Sequence, residues 1–244
     1  MSAMLYTKNL TRRFGGITAV DTCSIQVQEG SITGLIGPNG SGKTTLFNLV
    51  TGIYKPDSGD VYFRGTRITH LQPDKICHLG LSRTFQITRL FRKLSVLENM
   101  IVPIRHTGLR ALFGPGMYQE EEERAMELLN RVSLGHLKDE PAGKLSFGQQ
   151  KLLEFAAILM ADPELILLDE PAGGVNPSMI RFIMDLILSL NQEGVTFLVV
   201  EHNMGVVMEL CSYVLVLDQA QKIAEGPPDV IRQNPAVLDA YLGS

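Results

Sequence analysis

The segment Gly37-Pro-Asn-Gly-Ser-Gly42-Lys43-Thr44 constrains this chain more than any other stretch. It fits the spacing GxxxxGK[ST], follows the apolar run at residues 31–36, and opens residues 43–51, which have the composition of a helix with Gly52 at its end. A strand that feeds a glycine-rich turn and then a helix N-terminus directs backbone amides and the positive end of the helix dipole at an anion. Gly37, Gly40 and Gly42 allow the turn, and Pro38, Asn39 and Ser41 complete it. Lys43 supplies a charge to β- and γ-phosphates, the Thr44 hydroxyl can ligate Mg²⁺, and Thr45 extends the ATP-binding set. The expected ligand is a nucleotide's phosphates with Mg²⁺, against the plainer reading of a glycine turn with no ligand.

The rest of the chain reads as strands and helices around that loop. Before it, residues 5–10, 22–27 and 31–36 are β-rich runs divided by turn signals, and a strand pair is expected around residues 60–67. From about residue 90 to 160 the spacing becomes helical, with Ala125, Leu128, Leu129 and Val132 on one face of residues 121–132 and a second helix at 149–160. Residues 108–117, with Gly114-Pro115-Gly116, read as a surface loop. Residues 165–168, 195–200 and 213–217 are continuous apolar runs, the first two divided by a helical stretch at 178–190. That alternation implies a parallel sheet covered on both faces.

Bulk properties narrow the function. With 244 residues and 45% hydrophobic content, the chain can bury a sizeable core. The net charge of −4, with no long single-sign block, provides no footprint for nucleic acid. The acidic run Glu120–Glu123 reads as a solvated first helical turn. Cys23, Cys77 and Cys211 show no CxxC pairing, so neither a zinc site nor a disulfide framework is expected. No stretch approaches the roughly 20 apolar residues that span a bilayer. If the protein works at a membrane, another chain is expected to do the crossing.

A second motif completes the chemistry. Residues 165–168 end in Asp169-Glu170, an apolar strand delivering two carboxylates to the edge of a sheet, as a Walker B element does. Asp169 is expected to hold Mg²⁺, directly or through water. Glu170 is placed to orient or deprotonate the attacking water, a role that contributes roughly 10²–10⁴ in rate. An acidic pair alone is more often a solvated strand end; the upstream P-loop reverses that reading.

Leu145-Ser146-Phe147-Gly148-Gln149-Gln150 resembles the LSGGQ signature of ABC ATPases, placed just before a helix and upstream of Walker B as in that family. The resemblance implies an α/β ABC ATPase fold, a RecA-like P-loop core with an antiparallel β subdomain and an inserted α-helical subdomain. It divides the chain into a core lobe at 1–89 plus 161–230, a helical signature lobe at 90–160 and a C-terminal tail at 231–244. It also assigns further residues: Gln86 as the Q-loop glutamine contacting Mg²⁺ or the attacking water, His202 as the switch histidine, and Phe14 as the aromatic stacking on adenine with Val20 as an apolar wall. A plain core aromatic remains the alternative for Phe14. Ser146, Phe147, Gly148 and Gln149 would act in trans on ATP held by a partner's P-loop. Phe147 departs from the usual small residue, and Asn176 stands in the D-loop where Asp is common.

A narrower resemblance, carried by residues 12–21, 83–91, 170–177 and 234–243, is to the ATP-binding subunits of branched-chain amino acid importers. It implies a second ATPase subunit in a homo- or heterodimer, with a heterodimer favoured. It also implies membrane permeases docked along residues 86–98, an external binding protein reached indirectly, and a place on the cytoplasmic face of the membrane. An importer of other hydrophobic amino acids, urea or amides, or a non-transport ABC ATPase, stands as the alternative.

Overall fold

In the computed structural model, residues 3–84, 90–101 and 116–242 are described, with the side chains of 116–118 and 242 left aside. Two sheets organise them. The smaller one contains β1 (Ala3–Phe14), β2 (Ile17–Cys23), β3 (Gln26–Gln28), β5 (Ser58–Phe63) and β6 (Thr66–Arg67), all paired antiparallel around β1. The larger sheet has the order β11-β10-β4-β9-β8-β7, built from β4 (Ile32–Ile36), β7 (Leu81–Arg83), β8 (Leu165–Asp169), β9 (Thr196–Val200), β10 (Tyr213–Asp218) and β11 (Gln221–Gly226). Its strands run parallel except for β11, an antiparallel edge.

Residues 22–27 do not form the one strand expected of them. Thr22 has a φ of 48° and lies in a register shift of β2 against β1, one residue before the strand ends at Cys23. The Thr7 hydroxyl then replaces a ladder partner, donating to the Cys23 carbonyl at 2.9 Å and accepting from the Ile25 amide at 3.0 Å. A side chain that satisfies backbone groups lets the strand break without leaving buried polar atoms unpaired.

The helices cover both faces of the larger sheet. They are α1 (Lys43–Val50), α2 (Pro73–His78), α3 (Val96–Ile101), α4 (Gly116–Arg131), α5 (Phe147–Leu159), α6 (Pro177–Gln192), α7 (Met204–Leu210), α8 (Pro228–Arg232) and α9 (Pro235–Leu242). Strands β4, β8 and β9 are buried along their whole length, and their large apolar residues divide between two cores. Leu35, Leu167 and Leu198 join α1 and the smaller sheet in one core, while Ile36, Leu168 and Val199 join α3 to α7 in the other. The alternate residues of a strand point to opposite faces, which is why these runs read as continuously apolar.

α4 begins at Gly116, so Glu120–Glu123 lies beyond its first turn, contrary to the expectation for that run. Solvation still explains most of it, since Glu120, Glu122 and Glu123 are exposed. Ala125, Leu129 and Val132 are buried on the opposite face, against α3 and α5, with Leu128 at its margin. Residues 108–115 of the expected surface loop lie outside the described residues. Among the described residues no helix is long and apolar enough to cross a membrane. Cys23 and Cys211 are buried free thiols, pushed up by burial to about 11 and about 12.

Leu198 on central strand β9 is fully buried. Leu198→Ala is expected to cost about 2–5 kcal/mol of stability, read as a fall in the urea midpoint with the slope preserved.

Candidate functional site

Three neighbouring strands deliver the sequence motifs to one edge. β9 lies between β4 and β8, and all three run in the same direction. Their carboxyl ends therefore place the loop from Gly37, the pair Asp169-Glu170, and His202 side by side. In an open parallel sheet this edge is where ligands bind.

The loop between β4 and α1 is shaped from outside as much as from within. Gly42, the N-cap of α1, has a φ of 104° and offers no side-chain cap to the helix. A Cβ there would sit 2.3 Å from the Ala19 carbonyl oxygen of β2, so position 42 requires glycine on two counts. The turn after β10 holds the loop's other wall: Ala220 donates its amide to the Ser41 carbonyl at 3.2 Å and accepts from Asp21 at 2.8 Å. Lys43 is buried, and its ammonium donates to the carbonyls of Gly37 at 2.8 Å and Pro38 at 2.9 Å. Burial pushes its pKa down, while Glu170 and Asp169 push it up. Thr44 is exposed and Thr45 partly so, while Asn39 and Gly40 form the exposed tip.

The two carboxylates have separate partners. Asp169 pairs through Oδ2 with Arg83 of β7 at 2.8 Å, the two side chains being 2% and 6% exposed. Arg83 also donates to Asn48 Oδ1 at 2.6 Å and lies 5.3 Å from the Phe47 ring centroid, both on α1. It thus ties the Walker B strand to the helix of the P-loop. Glu170 Oε1 lies 2.9 Å from His202 Nε2, so the expected base and the expected switch histidine are joined. Glu201 is buried beside them, accepting from the Ala172 amide at 2.7 Å and the His202 amide at 3.1 Å.

Sequence reasoning assigned no role to Arg83, Glu201 or Lys151. Each lies inside or beside a quoted motif, but its partner is distant in sequence, and no spacing rule reveals that. Asn99 was missed for the same reason. Buried, it accepts from the Phe91 amide at 2.8 Å and donates to the Ser95 carbonyl at 2.8 Å, fixing the segment that includes most of the expected docking groove. Gln86 lies outside the described residues.

The remaining candidates are spread around this edge. Phe14 ends β1, 39% exposed, edge-on to Tyr54 at 5.3 Å and with the Arg12 guanidinium 4.7 Å from its ring centroid. Val20 is 1% exposed and belongs to the core beneath. Ser146 caps α5 in a reciprocal box, its hydroxyl accepting from the Gln149 amide and its amide donating to Gln149 Oε1. Gly148 packs on Met179, where a Cβ would approach to 3.1 Å. Asn176 caps α6, Oδ1 accepting from the Met179 amide at 2.9 Å and the Ser178 hydroxyl at 2.7 Å. Asn and Asp serve equally as N-caps, so the departure from Asp leaves this helix start intact.

The donor chemistry fits a nucleotide and its metal. The first amides of a helix lack intrahelical partners and suit phosphate oxygens. Thr44 and Asp169 bear the hard oxygens that Mg²⁺ prefers. Among the described residues no cluster of three or more His, Cys, Asp or Glu could hold a metal alone.

Residues 20–173 match the family model of the ABC transporter, and residues 221–244 match that of the branched-chain amino acid ATP-binding cassette transporter. The chain is 42% identical to a probable branched-chain amino acid transport ATP-binding protein, LivG, of Archaeoglobus fulgidus, covering 99% of this chain and 96% of that one. The chain belongs to the ABC transporter ATP-binding proteins, in their branched-chain amino acid subfamily. BraF of Pseudomonas aeruginosa, a high-affinity branched-chain amino acid transport ATP-binding protein, is 40% identical over 98% of both chains. Among solved structures, a nucleotide-free ATP-binding cassette from an ABC transporter superposes with a TM-score of 0.89 at 37% identity, each chain fully covered. A dimeric cassette in a post-hydrolysis state with ADP and Pi has a TM-score of 0.81 at 28% identity, covering 92% of this chain and 99% of that one. The expected ABC ATPase fold is therefore the observed one.

Arg83→Met leaves the Asp169 carboxylate buried without its guanidinium. It is expected to cost about 3–5 kcal/mol of stability, measured by denaturant unfolding. Asn176→Asp should stay within about 0.5 kcal/mol of the parent, and Asn176→Ala should lose about 0.5–2 kcal/mol.

Proposed function

We propose that this chain hydrolyses ATP to power the import of branched-chain amino acids through membrane permeases. The observation that carries the reading is the meeting of the P-loop, Asp169-Glu170 and His202 at the ends of adjacent strands, with Glu170 and His202 in contact at 2.9 Å. The substrate assignment leans on the relatives' transport role, since this subunit does not touch the cargo.

ATP would lie with its phosphates along residues 37–45 and its base near Phe14 and Val20. The Lys43 ammonium would exchange its carbonyl partners for β- and γ-phosphate oxygens. Thr44, Asp169 and Gln86 would hold Mg²⁺, which neutralises charge on the phosphates when bound. Glu170 takes the proton of the attacking water or orients it, and His202 fixes the Glu170 carboxylate. Ser146, Phe147, Gly148 and Gln149 would complete the site of a second ATPase subunit, with Asn176 at the same interface. Nucleotide bound between the two stabilises the closed dimer only by its differential affinity for that state, and loss of the γ-phosphate removes the preference.

The lobes would be 1–89 with 161–230 for ATP, 90–160 for the signature, and 231–244 as the tail. Residues 86–98 would dock the permease, placing the chain peripherally on the cytoplasmic membrane face in a complex with unlike ATPase subunits, served indirectly by an external binding protein.

Glu170→Gln is expected to keep ATP binding, lose roughly 10²–10⁴ in turnover, and accumulate an ATP-dependent closed dimer visible by size-exclusion chromatography. Turnover at the parent rate removes Glu170 from the role of base. In the host, loss of this chain should abolish energised uptake of labelled leucine, isoleucine and valine. Unchanged uptake of all three overturns the substrate assignment.

A further inference from the structure

Residue 170 has a backbone that glutamate rarely adopts. Its φ of 52° lies in the left-handed region, where a Cβ crowds the neighbouring carbonyl, and such a residue persists only when its surroundings hold it there. The holding bonds are specific. The Glu170 amide donates to the Val200 carbonyl at 2.9 Å, and its own carbonyl accepts from the Gly173 amide at 3.0 Å. That carbonyl also accepts from the ammonium of Lys151 at 2.8 Å.

Lys151 does more than contact one oxygen. Its ammonium donates to the Gly173 carbonyl at 2.7 Å and reaches that of Pro171 at 3.4 Å, so one cation gathers the carbonyls of Glu170, Pro171 and Gly173 in the turn after β8. From another side, Glu201 fixes the same turn through the Ala172 amide. Burial lowers the Lys151 pKa while Glu201, Glu170, Glu154 and Asp169 oppose that shift. A half-buried ammonium needs such partners, and here they are backbone carbonyls whose positions it sets in return.

Lys151 stands on α5, one and a half turns from its cap Ser146. Phe147 links that cap to the same turn. Its ring centroid lies 5.3 Å from the Lys151 ammonium, and a Cβ on Gly174, whose φ is 72°, would meet the ring at 3.0 Å. The residue that departs from the small signature pattern therefore packs on the Gly173-Gly174 turn, and only glycine at 174 leaves room for it.

We propose that Lys151 is a positioning residue for hydrolysis: from the signature helix it locks the left-handed backbone of Glu170, transmitting movement of that helix to the carboxylate that activates water. The proposal rests on the reading of Glu170 as the base. It gives a physical link, within one chain, between the signature serving a partner's nucleotide and the base serving its own.

The test uses the full chain with ATP and Mg²⁺, measuring released phosphate, affinity for a fluorescent ATP analogue, and denaturant unfolding. Lys151→Met is expected to lower kcat by on the order of 10²-fold, while KM and analogue affinity stay within about threefold. Lys151→Arg, whose guanidinium can still reach two carbonyls, should recover about tenfold of that loss. Should Lys151→Met prove too unstable to assay, Lys151→Gln, with one amide donor group, is expected to show the same kcat-selective loss to a smaller degree. A kcat within about twofold of the parent in the assayed Met or Gln variant overturns the proposal. So does a loss matched by equal weakening of analogue affinity, or an Arg variant no better than the Met one. Glu170→Gln separates the two readings: if it turns over normally, the base reading and the Lys151 role both fall. If it is inactive while Lys151→Met is unimpaired, only the Lys151 role falls.

Discussion

The parallel register of β4, β9 and β8 is the constraint on which the rest depends. Each of these strands is buried on both faces, so none can slip by a residue without turning a full apolar set toward the wrong core. Because they run in one direction and lie side by side, their ends fall at one edge. The glycine-rich loop, the acidic pair and His202 gain their proximity from hydrophobic burial some distance away. The polar bonds at the edge then refine positions that the sheet has already brought within reach.

Those polar bonds divide into two sorts. Arg83–Asp169 is a buried pair spanning β7, β8 and α1, and it keeps the strand that bears the carboxylates in register with the helix that bears the loop. The bonds of Lys151 and Glu201 act instead on a short turn whose own residues have little regular structure. A turn with a left-handed glutamate is costly by about 1–3 kcal/mol. Its persistence between a lysine of one helix and a glutamate of the next strand's end shows how that cost is offset.

Much of this was legible in the sequence, for reasons that differ by element. The P-loop could be read because its chemistry is local: the glycines, Lys43 and Thr44 lie within eight residues and their order alone carries the geometry. The buried strands were legible because two-sided burial writes an uninterrupted apolar run. The break at Ser24-Ile25 was not, because it depends on the Thr7 hydroxyl of another strand. The start of α4 was misjudged because Gly116 is a poor helix former, and only the assembled structure extends the helix that far. Arg83, Glu201 and Lys151 stayed silent for a related reason, since a lone charged residue announces nothing until its partner's place is known.

The end of β10 and the turn that leads into β11 touch the glycine-rich loop after β4. The Leu217 carbonyl oxygen lies where a Cβ on Gly37 would have to stand, and Ala220 bonds to Ser41. The region matched by the subfamily's C-terminal model begins at residue 221, immediately past that turn. What resembles an appended tag in a linear map of the chain is thus continuous with the nucleotide cradle's outer wall. Removing it would take away β11 and leave β10, the strand that carries this turn, as an unpaired sheet edge.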